Sequence, residues 1–445
     1  MKSPIKQPST AAKTINGSTQ AKTAKKPLNG KKEPATAAED TAPNLAPVKL
    51  LKRYLKEHYQ FRYNEVTKEV EFRSQKAKTV FVPLDEEQAL PELRIELAEM
   101  GFKSYKTYLS DLVRTKDLCS RYNPFEDYFT TLPPWDGTRD YISQLSGYVV
   151  AKDQAWFDRM LRKHLIRTVA CALRRLPFNK HCFVLLGEQH DGKTSFIRYL
   201  CPPALVDYYK ENPPLDHKDS TLALSQNILI NLDELHDLNK ADASRVKTLF
   251  SQADTKVRGH YAVKDARQSR YASFFGTLNE REFLNDVTGN VRWLVFEISG
   301  IRHDSGGKQG YAWNVDINRV WAQAYALLLA GESMELTRSE VEEVEQRNKA
   351  YQKATPEIET IAKYLVPAGR DEIGVYFLTS TDILRSLTAA TAGTVKLNSV
   401  MIGRALTFLG FKREKRHVYG YYVRAQKKII SEIIENHLTI LPSSQ

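Results

Sequence analysis

The sequence predicts a central α/β domain on a parallel sheet, and three stretches carry that prediction. Phe183-Val184-Leu185-Leu186 is an apolar run fit for a buried strand; it leads through a glycine-bearing loop, Gly187 to Ser195, into a helix-like segment. Asn227 to Leu232 is a second apolar run, ending in Asp233-Glu234. Tyr271 to Leu278 is a third, rich in aromatic and small residues and closed by Asn279. Successive apolar strands this far apart leave room for the crossover segments that parallel pairing requires. Flanking the core, the sequence predicts a small α+β N-terminal domain and a C-terminal winged-helix-like domain.

The loop of the first stretch is Gly-x-x-x-x-Gly-Lys-Thr between a strand and a helix, the setting of a phosphate-binding (P-loop) NTPase. Triphosphate oxygens must lie against backbone N–H groups, which a glycine loop allows, and the new helix points its positive end at the charge. Gly187, Asp191, Gly192, Lys193, Thr194 and Ser195 are the predicted nucleotide-binding residues. Lys193 would reach the β- and γ-phosphates, and the Thr194 hydroxyl would take a Mg²⁺ position. ATP and Mg²⁺ are therefore the expected ligands.

An apolar strand ending in two acids suits the partner element. Asp233 would enter the Mg²⁺ shell, and Glu234 would orient and deprotonate the attacking water. Asn279 would hold that water or the γ-phosphate from a strand between the other two. Downstream, Arg292 lies between a tight turn at Thr288-Gly289-Asn290 and the strand Trp293 to Phe296. It is the candidate arginine finger for a neighbouring subunit, an effect of about 10³–10⁵ in rate; Arg281 and Arg302 are rivals for that role.

Composition narrows the partners. The 445 residues carry a net charge of +12 with a pI near 9.2, which favours a polyanion such as nucleic acid. Cys119, Cys171, Cys182 and Cys201 form no CxxC pair, which argues against a disulfide framework or zinc site and for a reducing compartment. No apolar run approaches a membrane span, and the N-terminus lacks a secretory core, so a cytoplasmic protein is expected.

Along the chain, residues 1–45 hold eight lysines and almost no aromatics, the composition of a disordered basic tail. Residues 46–150 are expected to form the N-terminal domain, with a hairpin at Phe61 to Phe72 and a rigid turn at Leu132-Pro133-Pro134-Trp135-Asp136-Gly137. The core is set at 151–330 and begins with a helix whose polar face carries Arg159, Arg162, Lys163 and Arg167, a face suited to solvent or to DNA. Between the second and third stretches, Arg258, His260, Tyr261, Lys264 and Arg267 sit on a hairpin-like segment that suits a grip on single-stranded DNA or a charged surface. Residues 331–367 are expected to be a charged, solvated helical connector. Residues 368–445 predict two helices and a strand pair, with Lys412, Arg413, Lys415, Arg416 and His417 on the wing, for DNA or for packing.

The order of these parts resembles the superfamily 3 helicases, ring-forming AAA+-related motors of viruses and mobile elements. Tyr128-Phe129 with Leu132 to Gly137, Phe275-Gly276-Thr277-Leu278-Asn279, and Thr288-Gly289-Asn290-Val291-Arg292-Trp293 more closely resemble the virulence-associated protein E family. Two positions depart from it: Leu278 stands where a second threonine is expected, and Val291 where the first of two arginines is expected. The resemblance implies a replication-type ATPase, most simply a homohexamer. The expected function is an ATP-dependent DNA helicase or translocase replicating a phage or mobile element, acting on single-stranded or origin DNA. The alternative is an ATP-switched, DNA-binding replication initiator or regulator without unwinding activity.

Overall fold

The computed structural model describes residues 46–440 apart from 77–79, 104, 215–216, 236–239, 258–265, 285–289 and 305–306. Near the start, α1 (Pro47–His58), β1 (Tyr59–Asn64), β2 (Val70–Ser74), β3 (Val82–Pro83), α2 (Ala89–Glu99), α3 (Tyr105–Leu112) and β4 (Cys119–Tyr122) form one unit. The hairpin places Phe61 opposite Phe72, β4 adds in parallel to β1, and the sheet order is β3-β2-β1-β4. Leu51, Leu55, Phe61, Leu93, Leu97 and Leu109 make its core.

The packing changes at Asn123. Its side chain accepts the Phe125 N–H at 3.0 Å and caps α4 (Pro124–Thr131), with proline at the first turn where no N–H is needed. Phe125 and Phe129 of α4, and Ile142 and Leu145 of α5 (Tyr141–Ser146), belong to the apolar cluster of the central domain. The next strand, β5 (Val149–Ala151), joins the central sheet. A boundary drawn at 150 therefore cuts through this cluster, and the break in packing lies near residue 123.

After α6 (Gln154–Ala172) come β6 (Cys182–Leu186), α7 (Lys193–Leu200), β7 (Tyr209–Glu211), α8 (His217–Gln226), β8 (Leu229–Leu232) and α9 (Lys240–Ser251). They are followed by a β9 (Asp254–Val257) and β10 (Ala266–Ser269) ribbon, then β11 (Ser273–Leu278) and β12 (Trp293–Ile301). The central sheet runs β5-β12-β6-β11-β8-β7; only β5 is antiparallel to its neighbour. Every residue of β6, β8 and β11 is buried, because helices cover both faces. Along β6, Phe183 and Leu185 face the cluster containing Leu161, Leu165 and Ile197, while Cys182, Val184 and Leu186 face that of Leu224, Val246 and Phe250.

Arg270, which follows β10, is fully buried. Its guanidinium donates to the carbonyls of Leu249, Phe250 and Gln252 at the end of α9, and to Asn179 and Ala272. A cation at a helix C-terminus faces the negative end of the dipole; here it also ties the ribbon base to the sheet.

Beyond α10 (Tyr311–Asn314) and α11 (Ile317–Leu329), the charged segment becomes α12 (Arg338–Asn348), which is not a solvated connector. Val344 enters the central cluster, and buried Asn348 donates to the carbonyls of Asn290 and Trp293 at 2.7 and 2.9 Å. Glu340 of α12, with Glu332 and Glu335 just before it, meets the basic face of α6. Lys163 pairs with Glu340 at 2.7 Å, Arg159 with Glu340 at 3.5 Å and Arg167 with Glu335 at 2.6 Å, while Arg162 bridges Asp140 and Glu332. That face is therefore taken up by the chain's own carboxylates.

A third core joins α13 (Pro356–Tyr364), β13 (Leu365–Pro367), β14 (Val375–Leu378), α14 (Ser380–Ala390), α15 (Ser399–Phe408), β15 (Arg413–Lys415), β16 (Tyr419–Ala425) and α16 (Lys428–Ile440). Ile361 and Tyr364 of α13 lie in it, so this unit starts near 355 rather than 368. β15 and β16 form a hairpin after two helices, and residues 412–419 are exposed. Among the described residues no helix is long and apolar enough to cross a membrane.

Candidate active site

The parallel register brings three strand ends to one edge of the sheet. Leu186 pairs with Leu278 and Leu232 with Gly276, so the loop after β6, the acids after β8 and Asn279 after β11 emerge side by side. β11 lies between β6 and β8, and the Gly187 N–H donates to the Leu278 carbonyl at 3.1 Å, extending the pairing into the loop.

Two glycines are dictated by space. A Cβ on Gly187 would stand 2.5 Å from Asp191 Oδ2 and 2.9 Å from Ile298 Cγ1. Gly192, at the N-cap of α7, has φ +80°, and a Cβ there would meet the His303 ring at 2.9 Å. Lys193 opens the helix and is buried, its Nζ donating to the carbonyls of Gly187 and Glu188 at 2.9 and 2.5 Å. Burial lowers its pKa, opposed by the Asp191 and Asp233 carboxylates. The ammonium is thus held by loop carbonyls in the field of Asp233, at the first turn of α7.

The Thr194 hydroxyl donates to Asp233 Oδ1 at 3.0 Å and lies 3.2 Å from Oδ2. Thr277, on β11, donates to the same Oδ1 through its own hydroxyl and accepts the Glu234 N–H at 3.4 Å. The Asp233 N–H donates to Asn212 Oδ1, just past β7, at 2.7 Å. Glu234 adopts φ +55° and is exposed, as are Asn279 and Ser195. Hydroxyl and carboxylate oxygens at this separation are the hard donors Mg²⁺ selects, and it completes its shell from waters and substrate phosphates. The donor set fits that ion.

Arg292 lies elsewhere. It ends a short 3₁₀ turn before β12, half-buried, with Nε donating to Ser251 Oγ at 3.3 Å. Trp293 is level with Cys182, so Arg292 sits at the opposite end of the strands from Gly187, about 20 Å away at roughly 3.3 Å per residue. Its rivals are committed too: Arg281 pairs with Glu297 at 2.5 Å, and Arg302 donates to the Gly147 carbonyl. Of the proposed DNA-gripping residues, Arg258, His260, Tyr261 and Lys264 lie outside the described residues. Arg267 falls on β10, opposite Lys256.

Sequence reasoning did not single out Thr277 or Asn212. The signal for Thr277 was its place two residues before Asn279, level with Asp233; Asn212 has no local signature.

The virulence-associated protein E-like domain matches residues 129–353, half of the chain and all of the site just described. The chain belongs to this family. Among solved structures, the NrS-1 C-terminal region aligns over 85% of this chain and 98% of its own, with 12% identity and a TM-score of 0.44. A structure titled as the active helicase Cch of SCCmec type IV aligns over 84% and 94%, with 9% identity and a TM-score of 0.33. The JCV helicase aligns over 54% and 70%, with 12% identity and a TM-score of 0.26. No curated protein matches the chain. For this member of the virulence-associated protein E-like family, the matched span begins inside α4, on the core side of the packing break at residue 123.

Proposed function

We propose that the chain is a Mg²⁺-dependent ATPase that moves along or unwinds DNA during replication of a phage or mobile element. The observation that carries this reading is the contact of Thr194 with Asp233 beside Lys193, at one edge of a parallel sheet. Lys193 exchanges its loop carbonyls for β- and γ-phosphate oxygens, while the backbone N–H groups from Gly192 onward cradle the polyphosphate. Thr194 and Asp233 would hold Mg²⁺, which when bound would supply positive charge against the phosphates. Glu234 takes a proton from the attacking water, and Asn279 orients that water.

Arg292 is too far from its own Lys193 to help. It serves the nucleotide of the next subunit, as a homo-oligomer, most simply a hexamer, would require. The ribbon bearing Arg267 and the exposed wing at residues 412–419 supply cations for DNA, with α15 in the recognition-helix position of a winged-helix-like unit.

Phosphate release and strand displacement, each with and without single-stranded DNA, test this. Stimulated release with unwinding is expected. Release without unwinding would favour a nucleotide-switched initiator, and a rate indifferent to every nucleic acid would remove DNA from the account. Mixing Arg292→Ala with Glu234→Gln subunits should recover activity that neither has alone.

A further inference from the structure

The Asp233 carboxylate is held from two directions, and the two donors are not equivalent. Thr194 belongs to the first turn of α7, where the motif places a phosphate and its metal. Thr277 belongs to the sheet, is only 3% exposed, and donates to Asp233 Oδ1 from the neighbouring strand. The same Thr277 oxygen accepts the Glu234 N–H at 3.4 Å. One hydroxyl therefore fixes two consecutive acids, the first by its side chain and the second by its backbone.

That second contact falls where the chain is under strain. Glu234 has φ +55°, a region that a residue with a Cβ occupies only where its surroundings hold it. A Cβ on Gly276 would stand 2.7 Å from Leu235 Cδ1 and 3.1 Å from the Leu232 carbonyl, so a side chain there would press on the turn that carries both acids.

We infer that Thr277 is the positioning residue of this site: its hydroxyl keeps Asp233 turned toward Thr194 and Glu234 in its left-handed turn, so metal affinity and hydrolysis depend on it together. This rests on the ATPase reading above. Without the hydroxyl, Asp233 would keep Thr194 as its side-chain donor among the described residues and could turn about its side-chain bonds, and the Glu234 N–H would lose the Thr277 acceptor. Groups of this kind, one shell removed from a metal, typically alter affinity or turnover about 10–100-fold.

Thr277→Val keeps the shape and removes the hydrogen bonds; Thr277→Ser keeps the hydroxyl. Binding of a fluorescent ATP analogue, titrated with Mg²⁺ and repeated in EDTA, separates the effects. Thr277→Val should raise the half-saturating Mg²⁺ concentration about 10–100-fold and lower kcat, while EDTA binding, which rests on the loop, stays at the wild-type level. Thr277→Ser should restore the wild-type Mg²⁺ dependence. A wild-type Mg²⁺ midpoint in Thr277→Val would overturn the inference. So would Thr277→Ser as impaired as the valine variant, or equal loss in EDTA, which would mark general damage. A wild-type protein that binds no nucleotide at all would instead remove the underlying ATPase reading.

Discussion

Thr194 Oγ1 and Asp233 Oδ1 lie 3.0 Å apart although 39 residues separate them in sequence. The contact closes the glycine loop and the start of α7 onto the acidic end of β8. Residues that act as one unit give non-additive effects. Thr194→Val and Asp233→Ala should each weaken Mg²⁺-dependent nucleotide binding, and the double variant should lose little more than the worse single. Isothermal titration in Mg²⁺ measures this, and strict additivity would show that the two side chains act apart.

Gly187→Ala tests the loop without touching a charge. Its methyl would collide with Asp191 Oδ2 and Ile298, and Ile298 is fixed by the strand that carries it. Overpacking of this kind costs about 1–3 kcal/mol. The variant should melt lower and bind ATP weakly, while Gly403→Ala, where a methyl would make only ordinary contacts with Ser380 and Tyr421, should leave ATP binding unchanged.

Glu340 joins α12 to α6. Burial alone would raise its pKa, but the Lys163 ammonium and the Thr337 N–H outweigh burial and hold it below the usual carboxylate range. Glu340→Gln leaves Lys163 and Arg159 facing a neutral group and should lower unfolding stability by about 3 kcal/mol, the lower end for breaking a buried pair. Chemical denaturation reads the loss. Because its pKa is depressed in the folded state, this stabilisation is present at neutral pH and fades as pH falls through the carboxylate range.

Two buried histidines add a second acid sensitivity. His164, packed on Phe275 and Phe183, and His181 are held neutral mainly by burial, with Arg167 also nearby; their pKa values fall to about 3 and about 2. Unfolded, each would take a proton near pH 6.5, so below that pH the unfolded chain binds more protons and stability falls. At pH 5 each should cost about 2 kcal/mol relative to pH 7. Urea unfolding of His164→Leu should show a loss between pH 7 and pH 5 smaller by about that amount; an unchanged loss would place His164 outside this effect.

The strands β6, β8 and β11 were legible because a sheet covered on both faces needs largely apolar runs, broken here only by Asn231, Ser273 and Thr277, and the motif residues stand directly at their ends. The hairpin of β1 and β2 was legible from its turn. Partners distant in sequence were not. Glu332, Glu335 and Glu340 read as a solvated surface because their counterions lie on α6, and the basic face of α6 read as free for the same reason. The helices α4 and α5 look like part of an N-terminal domain until Phe125 and Leu145 are seen packing in the central cluster. Arg270 and Thr277 are ordinary residues in their own stretches; the first matters through the end of α9, the second through the tip of β8.

Phosphate release from ATP and Mg²⁺ by the wild-type chain, Lys193→Ala and Glu234→Gln tests the central claim most directly. The account predicts turnover in the wild type, none in Lys193→Ala with nucleotide binding weakened, and none in Glu234→Gln with nucleotide binding kept. Wild-type turnover that survives in both variants would contradict it.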